Sequence, residues 1–190
     1  MFDPAPFDPA GPVLGIDPGL SRCGYGVVAS ERNRPRAIGY GVITTPPDAA
    51  LPERLLELDD ELRLLMAQTR PSAVAVERVL FQSNARTAIS VGQASGLALV
   101  AAARLGIPVV LYSPNEVKLA VTGNGRADKA AVQMMVARLL DLPGVPKPAD
   151  AADALALACC HLWRAPLAAQ VGDNIGGRVG DNIGGRVGTR

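Results

Sequence analysis

The chain has 190 residues, 48% of them apolar but only 4% aromatic, with a formal net charge of +1. That length suits one domain with tails, built on a core of Ala, Val, Leu and Ile, and the net charge alone says nothing about partners. Three cysteines (Cys23, Cys159, Cys160) and one histidine (His161), with no C-x-x-C spacing, exclude a zinc site and a disulfide framework, so buried free thiols in a reducing, cytoplasmic setting are expected.

Residues 1–12 hold four prolines and no periodicity, and are expected to be a disordered leader without the basic-then-apolar pattern of a secretory signal. Val13–Ile16, Gly24–Ser30 and Ala37–Thr45 read as strands whose connections are too short for helical crossovers, hence an antiparallel meander. Leu51, Leu55, Leu58, Leu62 and Leu65 form one apolar stripe on a helix over Leu51–Thr69. Its acids (Glu53, Glu57, Asp60, Glu61) fall mostly off that stripe as a solvated face, and Asp59 and Arg63 are an i,i+4 pair. Ala73–Glu77 is a short strand of buried type. Ala85–Leu105 is a long Ala-rich helix, too short and too polar to be read as a membrane span. Gly92 and Gly96 share one face of it, where the sheet or a second subunit would pack closely. Val109–Tyr112 is a strand, Pro114–Thr122 a short helix, and Lys129–Leu140 and Asp150–Trp163 are further helices. Val171–Arg178 and Val179–Arg186 are the same octamer twice, so 13–165 is the expected domain and 166–190 a flexible tail. The order predicts an α/β fold: a mixed five-stranded sheet, three antiparallel strands followed by parallel ones, flanked by helices.

Two apolar strands end in a carboxylate, at Asp17 and at Glu77. If they are parallel neighbours, both acids reach the same sheet edge. Asp150 and Asp153, three apart, share a helix face. Three have a plainer reading: Asp17 opens the Pro18-Gly19 turn, Glu77 pairs with an arginine, and Asp150 favours a helix N-terminus; Asp153, in a run of alanines and leucines, is the hardest to dismiss. Together, four oxygen-donor acids suit Mg²⁺ or Mn²⁺, and two such ions about 3.5–4 Å apart can hold a scissile phosphate. Pro18-Gly19 would keep bulk away from the Asp17 carboxylate. From Arg78 to Arg138, seven bases stand against two acids, Glu116 and Asp128, a candidate basic face for a polyanion.

Leu14-Gly15-Ile16-Asp17-Pro18-Gly19 with Gly24-Tyr25-Gly26-Val27, Val76-Glu77-Arg78-Val79 with Asn84, Val91-Gly92-Gln93-Ala94 with Gly96, Val117-Lys118, Lys129, and the run from Asp150 to Ala156 occur in one order over residues 13–163. In this the chain resembles the RuvC family, bacterial Holliday-junction resolvases of RNase H-like fold. The resemblance implies a homodimer that binds four-way DNA junctions and nicks two strands symmetrically with Mg²⁺. It implies Asp17, Glu77, Asp150 and Asp153 as catalytic metal ligands, and Lys118 and Lys129 beside the DNA phosphates, with Arg86 in the same basic segment. It implies a junction wedge after Glu77, where this chain has Leu80 followed by Phe81 rather than an aromatic residue three positions on. It further implies a dimer interface on the Gly92/Gly96 helix and cooperation with the RuvA–RuvB branch-migration complex. Three rivals stand beside it. An actin-like ATPase or sugar kinase shares the Gly-Ile-Asp-Pro-Gly type of loop but needs a second phosphate loop that this chain lacks. The others are a non-catalytic junction binder and an RNase H-like nuclease for RNA–DNA hybrids or flaps.

Overall fold

The computed structural model describes residues 11–32, 34–79 and 85–176, excepting the side chains of 85–87 and 166–176. Residues 1–10, Leu80, Phe81 and 177–190 lie outside the description, and Arg86 is placed only by its helical backbone.

The chain runs β1 (Val13–Asp17), β2 (Arg22–Glu31), β3 (Arg34–Thr44), α1 (Leu51–Thr69), β4 (Ala73–Glu77), α2 (Ala85–Arg104), β5 (Val109–Tyr112), α3 (Pro114–Thr122), α4 (Lys129–Leu139) and α5 (Ala149–Gly176). The strands form one five-stranded sheet in the order β3-β2-β1-β4-β5. β1–β2 and β2–β3 pair antiparallel, while β1–β4 and β4–β5 pair parallel, so the mixed sheet expected from the element order is the one observed.

Side-chain alternation divides the core between the two sheet faces. Leu14, Ile16, Val74 and Val76 pack with Leu58, Leu62 and Met66 of α1 and Ala98 and Ala101 of α2. Val13 and Ala75 pack on the opposite face with α3, α4 and α5, among them Val117, Val136 and Leu155. The α1 stripe is confirmed at Leu58 and Leu62, while Leu51 is exposed and Met66 takes the last buried position. Asp59 and Arg63 pair at 3.4 Å. Helix α5 is the central one, with every residue from Ala154 to His161 buried. It runs past the expected end at Trp163 into the segment read as tail. The three cysteines are buried and free. Among the described residues, no helix is long and apolar enough to cross a membrane.

Candidate active site

The two strand-end acids meet by register. β1 and β4 run parallel with Ile16 opposite Val76, so Asp17 and Glu77 leave the same end of the sheet. Alternation puts Asp17 on the face of Val13 and Gly15, and Glu77 on the face of Ala75, which is the face covered by α5.

Three glycines bring α5 onto that face. A Cβ on Gly15 would overlap the Ala154 carbonyl oxygen, one on Gly24 the Asp150 carbonyl oxygen, and one on Gly26 would lie 2.7 Å from the Leu155 nitrogen. Without side chains here the helix backbone rests directly on β1 and β2, and its first turns carry Asp150 and Asp153 to the acids of the sheet. Gly19 serves a different end from the one expected. Its Cβ would overlap the Arg22 carbonyl oxygen, so it lets the turn fold back on β2 rather than clearing space beside Asp17.

Asp17, Glu77 and Asp153 line one cleft of about 330 Å³ together with Lys118 and Lys129. Asp150 stands outside that lining, yet its charge reaches Asp17. Burial, followed by the charges of Glu77, Asp153 and Asp150, raises the Asp17 carboxyl to about 7, with Lys129 opposing. Burial and Asp153 also raise Glu77, again against Lys129. The hydrogen bond from Lys129 to Asp153 holds that ammonium above its usual value against partial burial.

Two of the acids are engaged by bases. Lys129 Nζ lies 2.5 Å from Asp153 Oδ2. Arg22 donates to Asp150 Oδ2 from Nε at 2.9 Å, with its Nη2 2.8 Å from the same oxygen. Among the described residues, no three His, Cys, Asp or Glu side chains are grouped tightly enough to hold a metal ion as they stand. The donor chemistry nevertheless fits a hard divalent cation. All four groups are carboxylates, and ionised Asp17 is disfavoured by burial and like charge, which a cation offsets.

The bases of the cleft ride on capped helices. Ser113 and Glu116 form a capping box at the start of α3, which carries Lys118. Asp128, the residue before Lys129, accepts the Ala131 N–H on Oδ1 at 2.7 Å and so fixes where α4 begins. Asp128→Ala is expected to destabilise the protein by about 1 kcal/mol, read as a lower urea midpoint. The basic segment is not one face. Lys118 and Lys129 reach the cleft, whereas Arg104 lines a groove between α1 and α2 on the other side of the sheet. Leu80 and Phe81 lie outside the described residues, as does the side chain of Arg86.

Arg22 escaped the sequence reading. Its signal was its parity with Gly24, which puts it on the α5 face of β2. Tyr112, opposite Glu77 in the β4–β5 register, is tied to α5 through its hydroxyl, 2.9 Å from His161 Nδ1. His161 is thus a buried core histidine, pushed down to about 4 by burial.

The family model for crossover junction endodeoxyribonuclease RuvC matches residues 13–161. The chain belongs to the RuvC family. RuvC of Salinispora arenicola is 60% identical over 80% of this chain and 87% of its own length. RuvC of Streptomyces avermitilis is 57% identical over 81% of this chain and 88% of its own. Thermus thermophilus RuvC in complex with a Holliday junction substrate is 38% identical with a TM-score of 0.79, covering 83% of this chain and 96% of that one. The yeast mitochondrial Holliday junction resolvase Ydc2, at 17% identity and a TM-score of 0.63 over 89% of this chain and 87% of its own, shares the fold. The chain is accordingly a crossover junction endodeoxyribonuclease of RNase H-like α/β fold, and the RuvC match includes all four acids and both cleft lysines.

Proposed function

We propose that this protein resolves Holliday junctions by divalent-cation-dependent, symmetric nicking of two DNA strands, and that Asp17, Glu77, Asp150 and Asp153 are its metal ligands. The observation that carries this reading is the convergence of Asp17, Glu77 and Asp153 on a cleft shared with two lysines. Two Mg²⁺ ions held by the four carboxylates, with Mn²⁺ as a substitute, would supply an activated water and stabilise the leaving 3′ oxygen. Lys118 and Lys129 contact the phosphates of the strand being cut and balance the negative cluster. The sheet edge and the first turn of α5 are rigid mounts, so the carboxylates need little reorganisation during reaction. Arg86 adds a phosphate contact, and Leu80 or Phe81 wedges into the junction centre.

The acting unit is a homodimer, so two clefts face two like strands of a four-way junction. Ile89, Gly92, Gly96 and Val100 fall on one stripe of α2. Ile89 and Val100 are 63% and 46% exposed, and among the described residues nothing packs within 4 Å of a Cβ built on Gly92 or Gly96. The sheet is therefore not the neighbour of those glycines, and a second copy is the partner we assign. Gly96→Leu is expected to shift the protein from dimer to monomer in sedimentation velocity, and a variant still dimeric would place the interface elsewhere. By the same family membership the protein works in the cytoplasm with the RuvA–RuvB branch-migration complex.

The functional test is a labelled mobile junction incubated with protein and Mg²⁺ or Mn²⁺, beside linear duplex and RNA–DNA hybrid. Paired symmetric nicks confined to the junction are expected. Cleavage of the hybrid would assign a different nuclease specificity, and intact junction with bound protein would make it a binder only.

A further inference from the structure

Arg22 sits at the start of β2, where its neighbours on the α5 face are Gly24 and Gly26. Those glycines let the helix rest on the strand, and Arg22 is the first side chain on that face beyond the helix N-terminus. Both of its contacts with Asp150 fall on a single oxygen, Oδ2, at 2.9 and 2.8 Å. Among the described residues, no hydrogen bond or ion pair engages the other carboxylate oxygen, Oδ1. The backbone before Arg22 is braced from a different element. Arg54 of α1 donates to Ser21 Oγ at 2.6 Å and to Thr45 Oγ1 at 3.0 Å, and the buried Thr45 hydroxyl donates to the Leu20 carbonyl at 2.7 Å. The start of the strand that carries Arg22 is thus braced from the opposite sheet face.

We propose that Arg22 is a positioning residue that fixes the Asp150 carboxylate for divalent-cation binding, a role that rests on the metal-site reading above. Outer partners that orient a metal-ligating carboxylate raise metal affinity about 10- to 100-fold. A half-exposed ion pair adds little to folding. The two roles therefore separate experimentally.

The test is Mn²⁺ binding to DNA-free protein, followed by calorimetry and by the loss of the free-ion paramagnetic resonance signal. Wild type, Arg22→Ala, Arg22→Lys and Asp17→Asn are compared, with thermal melting of each in chelator. Arg22→Ala is expected to bind Mn²⁺ about tenfold more weakly, to keep a melting temperature near wild type, and to need correspondingly more Mg²⁺ for half-maximal cleavage. Arg22→Lys is expected to recover part of the affinity. Unchanged Mn²⁺ affinity in Arg22→Ala would overturn the role, as would a loss confined to junction binding. A higher affinity would overturn it too, by making Arg22 a counter-ion that competes with the metal. If wild type takes up no Mn²⁺, or Asp17→Asn matches wild type, the metal site itself is misplaced and this role falls with it. An effect of Asp17→Asn without one of Arg22→Ala rejects Arg22 alone.

Discussion

Asp17→Asn is expected to reduce metal-dependent junction cleavage by on the order of 10³-fold or more while making the metal-free protein more stable at pH 8. Both effects have one cause. Asp17 is pushed up to about 7 by burial and by Glu77, Asp153 and Asp150. Its ionised form is therefore held in the folded protein at a cost that a bound cation offsets. The sign follows from proton linkage. Between the ordinary value of 3.8 and about 7 the folded state binds more protons at Asp17 than the unfolded chain does. Stability contributed there is fully present below that window and is lost as pH rises through it. Glu77 is raised for the same reasons and adds to the trend. In chelator, wild type should be less stable at pH 8 than at pH 5 by on the order of a few kcal/mol, read as a lower melting temperature. The Asn variant should lose most of that difference, and Mg²⁺ should raise the wild-type melting temperature at pH 8. A variant that cleaves like wild type, or one that is less stable at pH 8 in chelator, would contradict the role given to Asp17.

Gly15→Ala should be the most damaging single-methyl change in the sheet. The new Cβ would overlap the carbonyl oxygen of Ala154, which is backbone of a helix buried from Ala154 to His161 and has no rotamer into which to move. The helix must lift from β1, and Asp153, one residue from Ala154, lifts with it. A loss of about 3 kcal/mol or more is expected, read as a fall in urea midpoint, with cleavage reduced even where the protein remains folded. Gly39→Ala is the matching control, because among the described residues nothing lies within 4 Å of its Cβ position on β3. Equal destabilisation by the two would mean that contact between α5 and the sheet is not what the glycines serve.

The four acids were legible because strands and helices have fixed periods. An apolar strand ending in a carboxylate is uncommon, and two of them, parallel and adjacent, meet at Asp17 and Glu77 as the register requires. Asp150 and Asp153 needed only helical spacing. The three-dimensional use of the glycines was not legible, because a strand glycine in sequence does not say which backbone approaches it. Gly19 was accordingly assigned to Asp17 when it closes on Arg22. Arg22 was hidden for a related reason: it lies 128 residues from Asp150, and nothing local marks an arginine at a strand start as a carboxylate partner. The basic run from Arg78 to Arg138 looked like one surface in sequence, yet it crosses from one side of the sheet to the other with the chain, leaving Lys118 and Lys129 at the cleft and Arg104 away from it.

The most direct test of the metal-dependent site is anomalous diffraction from crystals soaked in Mn²⁺. A manganese peak bounded by Asp17, Glu77 and the α5 pair Asp150 and Asp153 is the expected result. Manganese bound elsewhere with that cluster bare, under conditions in which the crystallised protein cuts junctions, would contradict it.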